Sequence, residues 1–310
     1  MRTTASILTI LWATACTHAL EPDTAGELSG VGSGTTADES EGEPEPAGST
    51  TGEPEPQAST SEPEASTGEP EPEASTGEPE PPPGLGCEGR DDLLLCDDFE
   101  GDGVDAELWD VVETDGGEVV IDGTLAYHGG GALRIHLPSG EGARGGLRTR
   151  PGVVFPVPDN HFFGRAWFHV DPAVPETHSA ALTARGQLDG ALAQYRLDSN
   201  GGRFNSRYAH PPTVVDHGGL KKFGYDVPAE QWLCIEWEYD GEHDGMRYWM
   251  NGDEITDMTV TEGSEPQPWV APVFDDFEIG WRTFQAAQSA PAHDVVWDAV
   301  ALATFRIGCE

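Results

Sequence analysis

Positive charge is scarce in this chain: 16 Lys and Arg stand against 56 Asp and Glu, for a formal net charge of −40. Nucleic acid would meet a repulsive field over most of the surface and is not an expected partner. Long apolar runs are missing too. The run from Ile7 to Ala13 is too short to cross a bilayer as a mature helix. Cysteine numbers only 5, with no Cys-x-x-Cys spacing, which argues against structural zinc and thioredoxin-type chemistry. Helical periodicity is nearly absent, and nothing points to a nucleophilic triad. Gly129-Gly130-Gly131 precedes a β-type run rather than a helix, so it is not a phosphate loop.

The first 16 residues read as an export signal: Arg2, the short apolar run, then Ala13-Thr14-Ala15-Cys16. Small residues ahead of a cysteine follow the pattern of a bacterial lipoprotein signal, with Cys16 as the lipidated residue. Ala13 stands where that pattern more often has leucine. The expectation is an exported protein that touches membrane only through this lipid, at the bacterial outer membrane or cell surface. Cleavage after Ala15 and secretion is the alternative. Residues 20–86 hold no Lys or Arg and seventeen Asp or Glu, and they repeat Gly-Glu-Pro-Glu-Pro at 52–56, 68–72 and 77–81. Few apolar residues and alternating prolines favour an extended, solvated chain, so 17–86 is expected to be a disordered linker acting as a stalk.

Residues 87–310 are left to build one domain. Short runs rich in Val, Ile, Phe, Tyr and Trp alternate with Gly, Asp, Asn and Pro clusters, which predicts strands and turns. Strands are expected near 118–121, 132–136, 146–150, 162–170, 180–185, 193–197, 203–209, 232–239, 246–250, 277–281 and 294–305. Asn251-Gly252 after Tyr248-Trp249-Met250 is a strong two-residue hairpin signal. The predicted fold is all-β: two antiparallel sheets face to face, a jelly roll, as a monomer. Cys87, Cys96, Cys234 and Cys309 suggest two disulfides. Three pairings are possible, of which Cys87–Cys96 with Cys234–Cys309 is preferred. The domain's 15 basic and 39 acidic residues give it a charge of −24, yet eleven of the basic ones fall within 134–222 beside only seven acids. One face can therefore still meet an anionic ligand.

Leu93-Leu94-Leu95, running to Phe99 and Glu100, looks like a buried first strand, and His293 to Leu302 like its partner at the far end of the chain. Pairing first and last strands removes two edges at once and brings Glu100 near Asp298. Two acids in an apolar seam call for a cation, and calcium, a structural ion with a taste for carboxylate oxygens, is the expected one.

The stretches CDDFEGDGVDAELW at 96–109, YHGGGALRI at 127–135, FPVPDNHFFGRAWFHV at 155–170, QWLCIEWEYDG at 231–241 and VVWDAVALATFRIGC at 295–309 together resemble the concanavalin-A-like sandwich family. The branch they suggest holds the fungal cellulose-induced-protein core domain and the glucuronan lyases of polysaccharide lyase family 20. The resemblance covers the folded domain in order. It implies a jelly roll, a polysaccharide ligand, and calcium on Glu100 and Asp298 with carbonyls near 128–130. The fold itself carries lectins, lyases and hydrolases.

Within Phe163 to Val170, alternation puts Arg165, Trp167 and His169 on one strand face, a cation, an aromatic plate and a titratable ring suited to an acidic sugar. Further along, His178, Gln187, Tyr195, Arg207 and Tyr208 offer the same vocabulary, and Trp249 adds another plate. A lyase needs a neutraliser for the uronate carboxylate, a base, and an acid for the leaving oxygen. Arg165 or Gln187 is assigned the first role, His178 the second, and Tyr195 or Tyr208 the third. The rival is Glu236 and Glu238, carboxylates two apart on one strand face, as in glucanases of this fold. Three functions are thus carried forward: a surface-held polysaccharide lyase acting by β-elimination, a non-catalytic carbohydrate-binding module, and a glycoside hydrolase on Glu236 and Glu238.

Overall fold

The computed structural model describes residues 86–309, apart from 141, 210–223, 265–268 and 285–290. The export signal, Cys16 and the linker up to residue 85 lie outside the described residues. Strands are numbered β1 to β15 in chain order. One sheet, A, runs β13 (Asp253–Glu254), β12 (Gly245–Met250), β11 (Leu233–Asp240), β6 (His161–Asp171), β15 (His293–Ala303), β4 (Ala132–Leu137) and β3 (Glu118–Asp122), with β1 (Leu95–Asp97) also paired to β15. The other, B, runs β10 (Tyr225–Asp226), β9 (Arg203–Ala209), β8 (Ala191–Asn200), β7 (Ser179–Leu188), β14 (Val273–Thr283), β5 (Arg144–Thr149) and β2 (Trp109–Thr114). All pairings are antiparallel, and the result is the expected two-layer sandwich.

Every strand alternates, and the aromatic residues of each inner face fill the gap between the sheets. Trp237 of sheet A stacks on Phe277 of sheet B at 5.3 Å, and Phe168 meets Trp297 at 4.8 Å and Trp281 at 6.0 Å. Gly164 lets Trp237 lie flat: a Cβ at 164 would sit 2.1 Å from the indole.

First and last strands pair as expected, Leu95 opposite Leu302 and Asp97 opposite Val300. Both preferred disulfides are present, Cys87–Cys96 and Cys234–Cys309. Asn251 and Gly252 form the hairpin with φ of 51° and 87°, the left-handed pair that a type I′ turn requires. The sequence reading missed β2, whose Asp110 and Glu113 interrupt the apolar pattern, and the two-residue strands β10 and β13. It also gave no hint of the bulge in β15, where the register slips between Asp298 and Ala301 and Ala299 takes φ of 47°. Among the described residues no helix is long and apolar enough to cross a membrane.

Candidate functional site

The two outer faces differ sharply, and that of sheet B is the candidate site. Arg148, Glu278, Thr183, Arg196 and Arg207 stand opposite one another across β5, β14, β7, β8 and β9, turned away from the core residues that alternate with them. Glu278 gathers arginines. Arg144 donates to it twice, at 2.8 Å to Oε1 and 2.6 Å to Oε2; Arg148 lies at 3.2 Å and Arg185 at 3.4 Å. Arg144 reaches it over Gly146 and Gly280, which face each other in register and place no side chain in the way. Burial works to raise the pKa of Glu278, but the Arg144 hydrogen bonds and the three guanidinium charges outweigh it and hold the carboxyl below its ordinary value.

Asp198 is the second centre. It is fully buried, and its Oδ2 meets His178 Nε2 at 2.6 Å, Arg196 Nη2 at 2.7 Å and Arg207 Nε at 3.5 Å. Burial again pushes up and Arg196 with His178 pulls down, and the pull wins. The hydrogen bond to Asp198 orients the ring, and in the tautomer that carries its proton on Nε2 the other nitrogen, Nδ1, is an acceptor. Beside this group, Asp198 Oδ1 and both amide atoms of Asn205, its register partner on β9, are buried with no protein hydrogen-bond partner among the described residues. Buried polar atoms of that kind mark where a polar ligand or water is accommodated. Phe284, just past β14, lies 4.8 Å from Arg196 and 4.7 Å from Arg282, and it packs against His178.

The outer face of sheet A is closed. Arg165 is 1 % exposed, donates to the Ala299 carbonyl at 3.2 Å, and burial pushes its pKa down to about 10. Trp167 is covered by Tyr127, stacked at 3.5 Å, and His169 is packed beside Trp232. Glu236 is gripped by Arg306 through both oxygens, at 3.1 and 2.7 Å, and by the Gly308 N–H at 2.8 Å, while the Arg306 guanidinium lies over Trp249. The expected groove of Arg165, Trp167, His169, Glu236 and Trp249 is therefore a roofed seam, and it lies on the sheet opposite to His178, Gln187 and Arg207. Glu236 and Glu238 do share a strand face, but Arg306 and the tail seal Glu236 from any sugar. Tyr195 and Tyr208 need correction as well. Both point into the core, with the Tyr195 hydroxyl on the Trp269 carbonyl at 2.9 Å and burial raising both phenols, that of Tyr208 to about 12. Gln187 is exposed near the end of β7, away from the Asp198 group.

The expected calcium pair does converge. A single loop holds both acids: Asp298 accepts from Tyr127 N at 2.7 Å and His128 N at 2.9 Å, and Glu100 from Gly130 N at 2.9 Å and Gly131 N at 3.2 Å. Burial, with a contribution from the Glu100 charge, pushes the Asp298 pKa up to about 7.

The profile of the Cip1-like core domain, a polysaccharide-lyase-like family, matches residues 98–304. The chain belongs to this family. Two solved structures share the fold of this Cip1-like domain. The cellulose-induced protein Cip1 superposes with a TM-score of 0.55 at 19% identity, over 70% of this chain and 100% of its own. The endo-β-1,4-glucuronan lyase of the fungus Trichoderma reesei gives 0.52 at 14% identity, over 66% and 94%. No curated protein sequence matches the chain.

Sequence reasoning overlooked most of what lines sheet B of the Cip1-like domain: Arg144, Arg148, Arg185, Arg196, Asp198, Asn205, Asp276 and Glu278. The signal was present. Gln194-Arg196-Asp198 alternates with Ala193-Tyr195-Leu197, and Asp276-Glu278 with Phe277-Ile279, so one face of each strand is polar and charged.

Proposed function

We propose that the Cip1-like domain acts on extracellular polysaccharide bearing uronic acids, and that the outer face of sheet B holds the polymer. The observation that carries this reading is the Asp198 centre, where two arginines and a histidine converge on one buried carboxylate beside unsatisfied amide atoms. By strand register seven arginines among the described residues (Arg144, Arg148, Arg185, Arg196, Arg203, Arg207 and Arg282) share this face with five acids (Asp110, Asp198, Asp226, Asp276 and Glu278), a small positive surplus on a strongly acidic domain. Guanidinium groups pair carboxylates in planar fashion, which suits a uronate.

Cleavage would proceed by β-elimination. Arg196 and Arg207 neutralise the uronate, so that charge developing beside it is tolerated. His178 Nδ1 takes the proton from the carbon next to the carboxylate, the neighbouring C–O bond breaks as a double bond forms, and the released oxygen takes a proton from water, to which His178 returns its own. Asp198 holds the ring and stabilises its positive form. The lyase reading is supported by the family and by the fold shared with a glucuronan lyase. Binding without cleavage is the second reading, favoured by the core placement of Tyr195 and Tyr208, which removes the expected proton donors.

Incubation of the purified protein with uronic-acid and neutral polysaccharides, followed by mass spectrometry of the products, separates these. Unsaturated uronyl ends, lost by roughly 10² to 10⁴-fold in His178→Ala, establish the lyase. Intact polymer with measurable binding establishes the second reading. Neither binding nor cleavage of any uronate polymer would overturn both.

Calcium is proposed as a structural ion at Glu100 and Asp298. Two carboxylates held by one loop, one of them buried, offer the hard oxygens this ion takes, and its charge would offset their repulsion. Chelation is expected to lower the melting temperature, and an unchanged melting curve would refute the ion. Lipidation at Cys16, with the acidic segment as a stalk, is the proposed means of surface attachment. A mass shift on the N-terminal peptide tests it.

A further inference from the structure

One cluster on sheet A belongs neither to the sheet-B face nor to the Glu100–Asp298 pair. His161, at the start of β6, stands in register opposite Asp240, at the end of β11, and Glu238 shares the outer face of β11 two residues earlier. Their donor atoms, one from each residue, all lie within 4.8 Å of one another. His161 Nε2 is 3.0 Å from Glu238 Oε1. In the turn that follows, His243 Nδ1 lies 2.9 Å from Asp240 Oδ2. A cavity of about 290 Å³ opens beside the group, lined by Glu238, Asp240, His243, Arg247, Thr261 and Glu262.

We propose that His161, Glu238 and Asp240, with His243 as fourth donor, bind a divalent transition-metal ion of the zinc class. Two imidazoles and two carboxylates are the donor mixture such ions take, whereas calcium seeks six to eight oxygens. Zinc bonds of about 2.0–2.1 Å place tetrahedral donors roughly 3.4 Å apart, within small rotamer changes of the spacing seen here. Hydrogen-bonded strands fix His161, Glu238 and Asp240, so the site is largely formed in advance. His243 is the exposed member, its side chain 64% exposed and held to Asp240, from which it would turn to reach the ion. Arg247 Nη1 sits 3.2 Å from Glu238 Oε2, occupying the oxygen not turned toward His161. The cavity leaves room for water or a ligand oxygen on the open side.

The site is independent of the Glu100–Asp298 pair: Asp298 lies opposite Trp167, well along β6 from His161. Either proposal can fail without the other.

The test is calorimetric titration of zinc chloride into the chelator-treated, untagged full chain. Uptake of one ion is expected, more than about tenfold weaker in His161→Gln, given what loss of even an outer contact costs a metal site. Calcium chloride at the same concentration should not displace it. No zinc uptake by the parent protein, parental affinity in His161→Gln, or displacement by calcium would each overturn the proposal. Circular dichroism checks the fold of the variant. Should His161→Gln fail to fold, the exposed His243→Gln replaces it under the same criterion.

Discussion

The two outer faces of this sandwich carry similar residues and do different things with them. On sheet A, Arg165 lies under the Ala299 carbonyl, Trp167 under Tyr127, and Glu236 under Arg306 and the Gly308 amide. The Cys234–Cys309 disulfide pins the tail over that face. On sheet B, Arg144, Arg185 and Arg196 are also buried, but they converge on Glu278 and Asp198. The arginines of sheet B share carboxylates, where Arg165 meets a backbone carbonyl. Residue type therefore says little about a site until the overlying chain is known.

The largest expected effect falls on sheet B. Glu278→Gln leaves Arg144, Arg148 and Arg185 crowded around a neutral amide, and breaking a buried ionic centre on one side costs about 3–5 kcal/mol. Urea unfolding measures it. A loss under about 1 kcal/mol would mean that Glu278 does not hold the arginines. Its pH dependence has a fixed sign. Glu278 and Asp198 are both held below their ordinary values, 4.5 and 3.8, so the unfolded chain takes up their protons first as pH falls. Their stabilisation is complete above about pH 5 and is lost progressively below 4.5 and 3.8. In Glu278→Gln the acid limb of the stability curve should be shallower.

On sheet A the matching change is Cys234→Ser with Cys309→Ser. The bond closes a separation of 75 residues, for which chain entropy gives a loss of about 4 kcal/mol, with 2–4 kcal/mol typical. The proposed polymer binding on sheet B should survive it at temperatures where the variant is folded. Loss of polymer binding there would break the separation of the two faces. The contrast is sharper in binding. Arg207→Ala is expected to weaken uronate-polymer binding about tenfold, with less salt dependence, as removal of one charge-assisted contact implies. Arg306→Ala, on the other face, should leave it unchanged.

How much of this was legible beforehand follows the same division. Local chemistry was readable: Asn251-Gly252 forms its hairpin, β1 finds β15, and four cysteines pair as preferred. Alternation also told which side chains of β6 travel together. It could not tell which sheet β6 joins, nor that Tyr127 and the tail would cover its outer side, because those contacts span large sequence separations. The bulge at Ala299 was equally hidden; alanine gives no warning of a left-handed φ, and the bulge leaves Ala299 N on Asp298 Oδ1. For Tyr195 and Tyr208 the failure was one of weighting. Ala193, Tyr195 and Leu197 form an apolar set on β8, and chemical interest in a phenol overrode the period of two.

The smallest difference sits within sheet A itself and tests how much a roof contributes. Arg306 and Arg247 each pair with a glutamate of β11, Glu236 and Glu238, two residues apart. Both arginines are about equally exposed, at 41% and 44% for their side chains, so removing either alone would look alike from the outside. The glutamates decide. Glu236 is 1% exposed, and without Arg306 it keeps the Gly308 amide and the charge of Arg165, its register partner on β6, but loses both guanidinium hydrogen bonds, so Arg306→Ala is expected to cost about 2 kcal/mol. Glu238, whose side chain is 9% exposed, borders a cavity and retains His161, so Arg247→Ala should cost less, about 1 kcal/mol. Equal losses in chemical denaturation would mean that burial of the carboxylate is not what separates the two pairs. The sealing of Glu236 would then owe more to the tail and its disulfide than to charge.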